Sequence, residues 1–280
     1  MIKKVILLLL LMFSINIANA AVRVSPSYLE LDANKTNKDY ITGSFSVEGG
    51  KDETIRFKVY PVFFEYDNKG HFVELEDKNQ TNSLLGNIKF YPTEFTCKDG
   101  IEQKIRFTVT DLKTLPNGES RLVLFLEDVD TKEIVIRKAN GQAGGKIIVK
   151  TRVGVPIYLD KGNYTKKGTL DSVVFKKIED KFACEYKVSS LGNSKIRYGG
   201  YGCISQGDKL IKQFDVNGST VEGGKFLERV QQIDIPKEDI IDGQEYKVKF
   251  ILTYKDEHGK EKILKKEIFF VPDKTALNKI

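Results

Sequence analysis

The residues best suited to catalysis or metal binding in this chain are its three cysteines and two histidines, and their spacing supports neither. His71 and His258 lie far apart, so no Cys/His pattern resembles a metal site. Neither histidine stands beside a Ser or Cys in a nucleophile motif, and Gly49-Gly50 and Gly223-Gly224 do not form a phosphate-binding loop. Cys97 sits in a strand-like segment and reads as a buried thiol rather than a nucleophile. Asp and Glu are plentiful, but no two are set as an acid/base pair, and surface solvation explains them. The aromatic residues are all Phe and Tyr, spread along strand-like segments as core residues are. The chain is therefore expected not to be an enzyme and to need no cofactor or metal.

What remains is the chemistry of recognition. Residues 144–158 read Gly-Gly-Lys-Ile-Ile-Val-Lys-Thr-Arg-Val-Gly-Val-Pro-Ile-Tyr, a run of high β-propensity. Side chains alternate along a strand, so Ile147, Val149, Thr151 and Val153 share one face, and Ile148, Lys150 and Arg152 the other. A strand apolar on one face and basic on the other is either the edge of a sandwich or a strand whose apolar row is lent to another protein.

Met1 to Ala20 has the composition of a secretory signal. Lys3 and Lys4 supply the charge, Val5 to Phe13 the apolar run, and Ala18-Asn19-Ala20 the cleavage site. The apolar run is short for a bilayer span, and no later stretch is long and apolar enough for one. The mature chain, from Ala21, is expected to be exported and not inserted in a membrane. Without Lys3 and Lys4, the 45 Lys+Arg fall to 43 against 39 Asp+Glu, a mild and interspersed positive balance. Nucleic acid is not called for by such a balance. In an exported chain, three cysteines leave at least one thiol over. Cys184 and Cys203 flank the turn Leu191-Gly192-Asn193-Ser194 and are the expected disulfide, which would stabilise by about 3 kcal/mol for so short a loop. Three buried thiols are the alternative.

The elements that must position the 144–158 stretch are strands throughout. Strand patterns cover Val22 to Leu31 (interrupted by Pro26, which favours an edge or a bulge), Tyr40 to Val47, Thr54 to Phe64, His71 to Leu75, Ile88 to Cys97, Gln103 to Val109 and Arg121 to Leu126, with turn chemistry between them. A long connection, Glu127 to Ala143, leads into the stretch and contains Glu133-Ile134-Val135-Ile136-Arg137. Leu159 to Tyr164 reads as a linker. Seven further strand patterns follow between Gly168 and Val271, and Asp273 to Ile280 reads as a tail. The expected fold is all-β, with two immunoglobulin-like β-sandwich domains over 21–158 and 159–280.

Four features stand in order. Val24-Ser25-Pro26 lies near the mature start. Pro92 to Arg106 carries Pro…Phe…Asp-Gly…Gln…Ile-Arg. Leu115 to Phe125 runs from Leu-Pro through Glu-Ser into an apolar strand, and the 144–158 stretch ends in Gly-Val-Pro-Ile-Tyr. In an exported chain this order resembles the PapD-like periplasmic chaperones of the chaperone–usher pathway, over residues 22–159.

The resemblance implies a periplasmic chaperone for pilus or fimbrial subunits. It would complete each subunit with a donor strand carrying Ile147, Val149, Thr151 and Val153, and deliver it to an outer-membrane usher without ATP. The family also implies an Arg and a Lys that hold the client's terminal carboxylate, but the aligned positions here are Tyr28 and Gly154. Lys150 and Arg152 are the candidate displaced anchors. A third family Arg, partner of the glutamate aligned with Glu119, is replaced by Tyr158. The alternative expectation is a secreted two-domain sandwich with a structural or adhesive role.

Overall fold

The structure, a computed structural model, describes residues 22–50, 54–76, 80–130, 132–137, 143–178, 181–236 and 239–272. The expected signal and the tail from Asp273 lie outside the described residues.

The chain is all-β. Its first strands are β1 (Val22–Ser25), β2 (Leu29–Asp32), β3 (Tyr40–Gly49), β4 (Thr54–Tyr66) and β5 (Phe72–Leu75). Then come β6 (Ile88–Tyr91), β7 (Glu94–Lys98), β8 (Glu102–Thr110), β9 (Gly118–Asp128), β10 (Lys132–Arg137), β11 (Ala143–Val149) and β12 (Arg152–Lys161). The second half holds β13 (Gly168–Ile178), β14 (Lys181–Ser190), β15 (Ile196–Gln206), β16 (Lys209–Val221), β17 (Phe226–Ile233), β18 (Tyr246–Lys255) and β19 (Glu261–Phe270).

The first sandwich faces the sheet β1-β3-β8-β6 against β2-β12-β9-β4, with β5 and β7 both on β4. Period-2 alternation builds its core. Phe45, Val47, Ile105, Phe107 and Val109 come from one sheet; Phe57, Val59, Leu122, Leu124, Leu126, Val155 and Ile157 come from the other. All its strand pairs are antiparallel except β2 on β12, which is parallel. The second sandwich packs β13-β14-β17 on β16-β15-β18-β19 around Phe175, Cys184, Tyr186, Tyr198, Val248, Phe250 and Leu252. Both are immunoglobulin-like.

Four expectations are corrected. The pattern over Val22 to Leu31 divides at Pro26, with β1 joining one sheet and β2 the other. Ile88 to Cys97 divides the same way at Pro92, and a proline's missing N–H makes it a natural point to leave a ladder. Leu159 to Lys161, expected as linker, belongs to β12, with Leu159 fully buried in the first core.

The fourth concerns the cysteines. Cys184 and Cys203 are not bridged, and Cys97 is free as well. Cys184 points inward from β14, while Cys203 lies on the outer face of β15, in the opposite sheet, beside Gln213. Two side chains so directed cannot meet across a disulfide. Burial pushes the Cys184 thiol up to about 12, as it does a thiol with no metal or base beside it.

Candidate functional site

The 144–158 stretch is not one strand. β11 ends at Val149, Lys150 and Thr151 lie in no strand, and β12 begins at Arg152. Lys and Thr are both compatible with a strand, so only tertiary pairing marks the break. Beyond it, β11 pairs antiparallel with β10 as a separate two-stranded ribbon, Ile147 opposite Ile134 and Val149 opposite Lys132.

The expected apolar row is therefore divided. Val153 packs against the first core, and Thr151 is exposed at the break. Ile147 and Val149 stand out on the ribbon, 47% and 38% exposed, with Ile148 on the other face at 63%. At Gly145, next in the row, no atom comes within 4 Å of where a Cβ would lie. A two-stranded ribbon with aliphatic groups in water is marginal on its own. Each half-exposed aliphatic side chain stands to gain on the order of 1 kcal/mol from burial by a partner.

A second feature adjoins the ribbon. β12 pairs with β9 along its whole length, but its pairing with β2 begins only at Ile157. From Arg152 to Pro156 the other edge of β12 has no strand partner among the described residues, which leaves a backbone edge open to strand addition.

Lys150 and Arg152 point to the outer face of the first sandwich, and both meet carboxylates of their own chain. Lys150 Nζ donates to Glu127 Oε1 at 2.5 Å, and Arg152 donates to Glu74. The Arg152 guanidinium also lies 3.9 Å from the Phe125 ring centroid. The Lys150 ammonium holds the Glu127 carboxyl below its ordinary value. Gly154 has no room for the side chain the resemblance would place there, because a Cβ would lie 2.9 Å from both Phe125 Cε1 and Val123 Cγ2.

The joint between the sandwiches holds what the sequence reading missed. Glu119, which lacks an arginine at position 158, takes its cations from elsewhere. Arg121 Nη1 lies 3.3 Å from Glu119 Oε1, and Lys195 Nζ, from the second half, lies 3.3 Å from Glu119 Oε2. Lys195 also donates its backbone N–H to Glu119 at 3.0 Å. Arg121 extends the network across the joint, donating to Glu222 at 2.8 Å, to Glu65 at 3.3 Å and to the Phe64 carbonyl at 3.0 Å. Tyr158 fills the remaining space, with the Lys195 ammonium 4.0 Å over its ring. Burial pushes the Tyr158 phenol far up, so it stays protonated. The visible signal for this joint was a charge, Arg121, opening the apolar run Leu122 to Leu126.

A cleft of about 590 Å³ opens between the sandwiches, lined in part by Tyr28, Glu30, Asp160, Lys166, Lys195 and Arg197. Its cations face acids of the same chain: Lys166 and Asp160 at 2.9 Å, Lys195 and Glu30 at 3.4 Å, Arg197 and Glu30 at 3.6 Å. Tyr28 lies under the Arg197 guanidinium at 3.8 Å. Burial works to raise the Glu30 pKa, but Lys195, Lys166 and Arg197 together bring it below its ordinary value. Among the described residues, no group of His, Cys, Asp and Glu is placed to hold a metal, and no helix is long and apolar enough to cross a membrane.

No family model and no curated protein matches the sequence. Among solved structures the chain is similar to PapD-like fimbrial chaperones. One comes from a chaperone–tip adhesin complex of CFA/I fimbriae biogenesis, with 12% identity, TM-score 0.42, and coverage of 88% of this chain and 98% of that one. The CupB2 chaperone of Pseudomonas aeruginosa matches at 9% identity and TM-score 0.41, over 88% of this chain and all of its own (100%). The E. coli chaperone DraB matches at 9% identity and TM-score 0.40, over 88% and 98%.

Proposed function

We propose that this chain is a periplasmic chaperone that completes pilus or fimbrial subunits by lending them a strand and delivers them to an outer-membrane usher. In this reading residues 1–20 are the export signal, the strand-lending domain runs from 21 to the end of β12, and the second domain that follows shapes the cleft. The observation that carries it is the exposed Ile147, Ile148 and Val149 of the ribbon, running into a β12 edge that from Arg152 to Pro156 has no strand partner among the described residues. A subunit short of one strand offers the complement: an apolar groove bordered by unpaired backbone groups. Main-chain hydrogen bonds along β11 and β12 would supply affinity, and Ile147 and Val149 would fill the groove. Thr151 would give a smaller contact, while Val153, committed to its own core, would anchor the strand.

The test is Ile147→Asp with Val149→Asp, co-expressed with a subunit and assayed by pull-down. Carboxylates forced into an apolar groove cost at least about 2 kcal/mol each, so binding is expected to vanish. The fold should survive, because both side chains are exposed in the free protein. Retained binding by the folded variant would reject the lent strand. An unfolded variant would assign both residues to this chain's own core.

A further inference from the structure

The break between β11 and β12 lies where the chain passes from the separate β10-β11 ribbon into the sheet of the first sandwich. Among the described residues, Asp128 N–H donates to the Thr151 carbonyl at 2.9 Å, joining the two legs of the ribbon, and Val129 N–H donates to the Arg56 carbonyl at 2.8 Å. On the outer face, side chains from four strands converge on the same point. Lys150 reaches back from the break to Glu127 on β9. Tyr60 on β4 donates its hydroxyl to the other oxygen of Glu127 at 2.6 Å. Arg152 at the start of β12 lies on Phe125, donates to Glu74 on β5, and stands 3.5 Å from the Tyr60 hydroxyl. Phe72, also on β5, packs edge-on against Phe125 with centroids 5.6 Å apart.

We propose that this knot of Lys150, Arg152, Glu127, Glu74, Tyr60 and Phe125 fixes the direction in which the ribbon leaves the sandwich, with Arg152 as its central positioning residue. Each ion pair is partly exposed and weak alone, but Glu127 and Tyr60 are shared between partners, so the contacts act together. Two cations matched by two carboxylates have no charge to spare for a partner. Positioning is therefore the role the geometry favours for Lys150 and Arg152, over capture of a client's carboxylate. The inference rests on the proposed function only in its consequence: a ribbon already aimed loses less freedom when a partner takes it.

The test needs no client, so it stands apart from the test of the lent strand. Spin labels go on Ile148→Cys in the ribbon and Tyr91→Cys on β6, in the full chain carrying Cys203→Ser. Cys97 and Cys184 are buried and stay. A control pair, Tyr40→Cys with Tyr91→Cys, reports on the sandwich alone. In Arg152→Ala the ribbon distance distribution is expected to widen while the control distribution stays as narrow as in the parent. Arg152→Lys keeps the charge but loses the flat contact with Phe125, and should give an intermediate width. An unchanged ribbon distribution in Arg152→Ala would overturn the proposal. So would equal widening of the control pair, which would make Arg152 a support of the sandwich rather than of the ribbon. Where a client is in hand, a tenfold fall in the correctly aimed fraction raises the apparent Kd about tenfold.

Discussion

Two arginines in the first sandwich make the same kinds of contact, a ring beneath and carboxylates beside, in opposite surroundings. Arg121 lies over Phe63 and Phe64, with centroids 5.6 and 5.9 Å away, and pairs with Glu119, Glu65 and Glu222. Arg152 lies over Phe125 and pairs with Glu74. The Arg121 side chain is 4% exposed and the Arg152 side chain 36%. That one difference decides what each can do. Arg121, Glu119 and Glu222 are shielded from water, so each of these charges depends on its partner and the joint between the sandwiches is tied together. Around Arg152 water competes with every contact, so the knot biases a direction but cannot hold the fold. A joint that must be fixed is built from buried charge, and an element that must stay available is steered by exposed charge.

The largest effect that would sharpen this contrast is the loss of Arg121. Arg121→Ala leaves Glu119 and Glu222, each with a side chain 2% exposed, short of their shared cation. Removing one partner from a buried ion network costs about 3–5 kcal/mol. Thermal and urea unfolding should both show it, with Lys195 and Lys225 compensating only in part. A loss under about 1 kcal/mol would mean that water reaches the joint.

The two regions should also answer to pH in opposite directions. Burial holds the Glu222 carboxyl above its ordinary value of 4.5, outweighing Arg121 and Lys225. A raised pKa contributes stability that is present below the unfolded value and lost as pH rises through the folded one. Glu127, beside Lys150 and Tyr60, is lowered from 4.5, so its contribution is present above the unfolded value and lost as pH falls through the folded one. The stability of the parent relative to Glu222→Gln should therefore increase as pH falls from neutral towards 4.5. Relative to Glu127→Gln it should hold to about 4.5 and decline below. Urea midpoints from neutral pH to below 4.5 read both, and parallel trends would erase the distinction between the regions.

Much of the first sandwich was legible because period 2 is a local signal. Leu122, Leu124 and Leu126 face the core from one strand, as their spacing implies. The alternation of Ile147, Ile148 and Val149 along the ribbon was legible for the same reason. The interruption at Pro26 was legible, but the change of sheet there and the division at Pro92 were not, since a strand beside a proline reads alike whichever sheet it joins. The break at Lys150 and Thr151 left no mark, because it exists only where β10 and β9 part company. The joint was least visible of all. Arg121 stands 101 residues from Glu222, and Glu119 stands 76 from Lys195, so nothing near either residue announces its partner. The cysteine pairing failed because proximity along the chain says nothing of which sheet, or which face, a side chain takes.

The smallest effect is the most exacting test of the comparison. Arg152→Ala removes an arginine that lies closer to its ring than Arg121 does, 3.9 Å against 5.6 Å, and it breaks the bond to Glu74. Ring distance alone would predict a loss at least equal to that of Arg121→Ala. Exposure predicts otherwise. A partly solvated ion pair is worth about 0.2–1 kcal/mol, an exposed cation over a ring about 0.5–1 kcal/mol, and they share one side chain, so their sum is an upper bound. Water solvates Glu74 once the arginine is gone, so no buried charge is stranded. The expected loss is about 1 kcal/mol, diminishing further at 1 M salt where the Debye length falls to about 3 Å. Arg121→Ala should keep most of its larger loss under the same salt. Equal losses, or equal sensitivity to salt, would show that burial is not what separates the two sites.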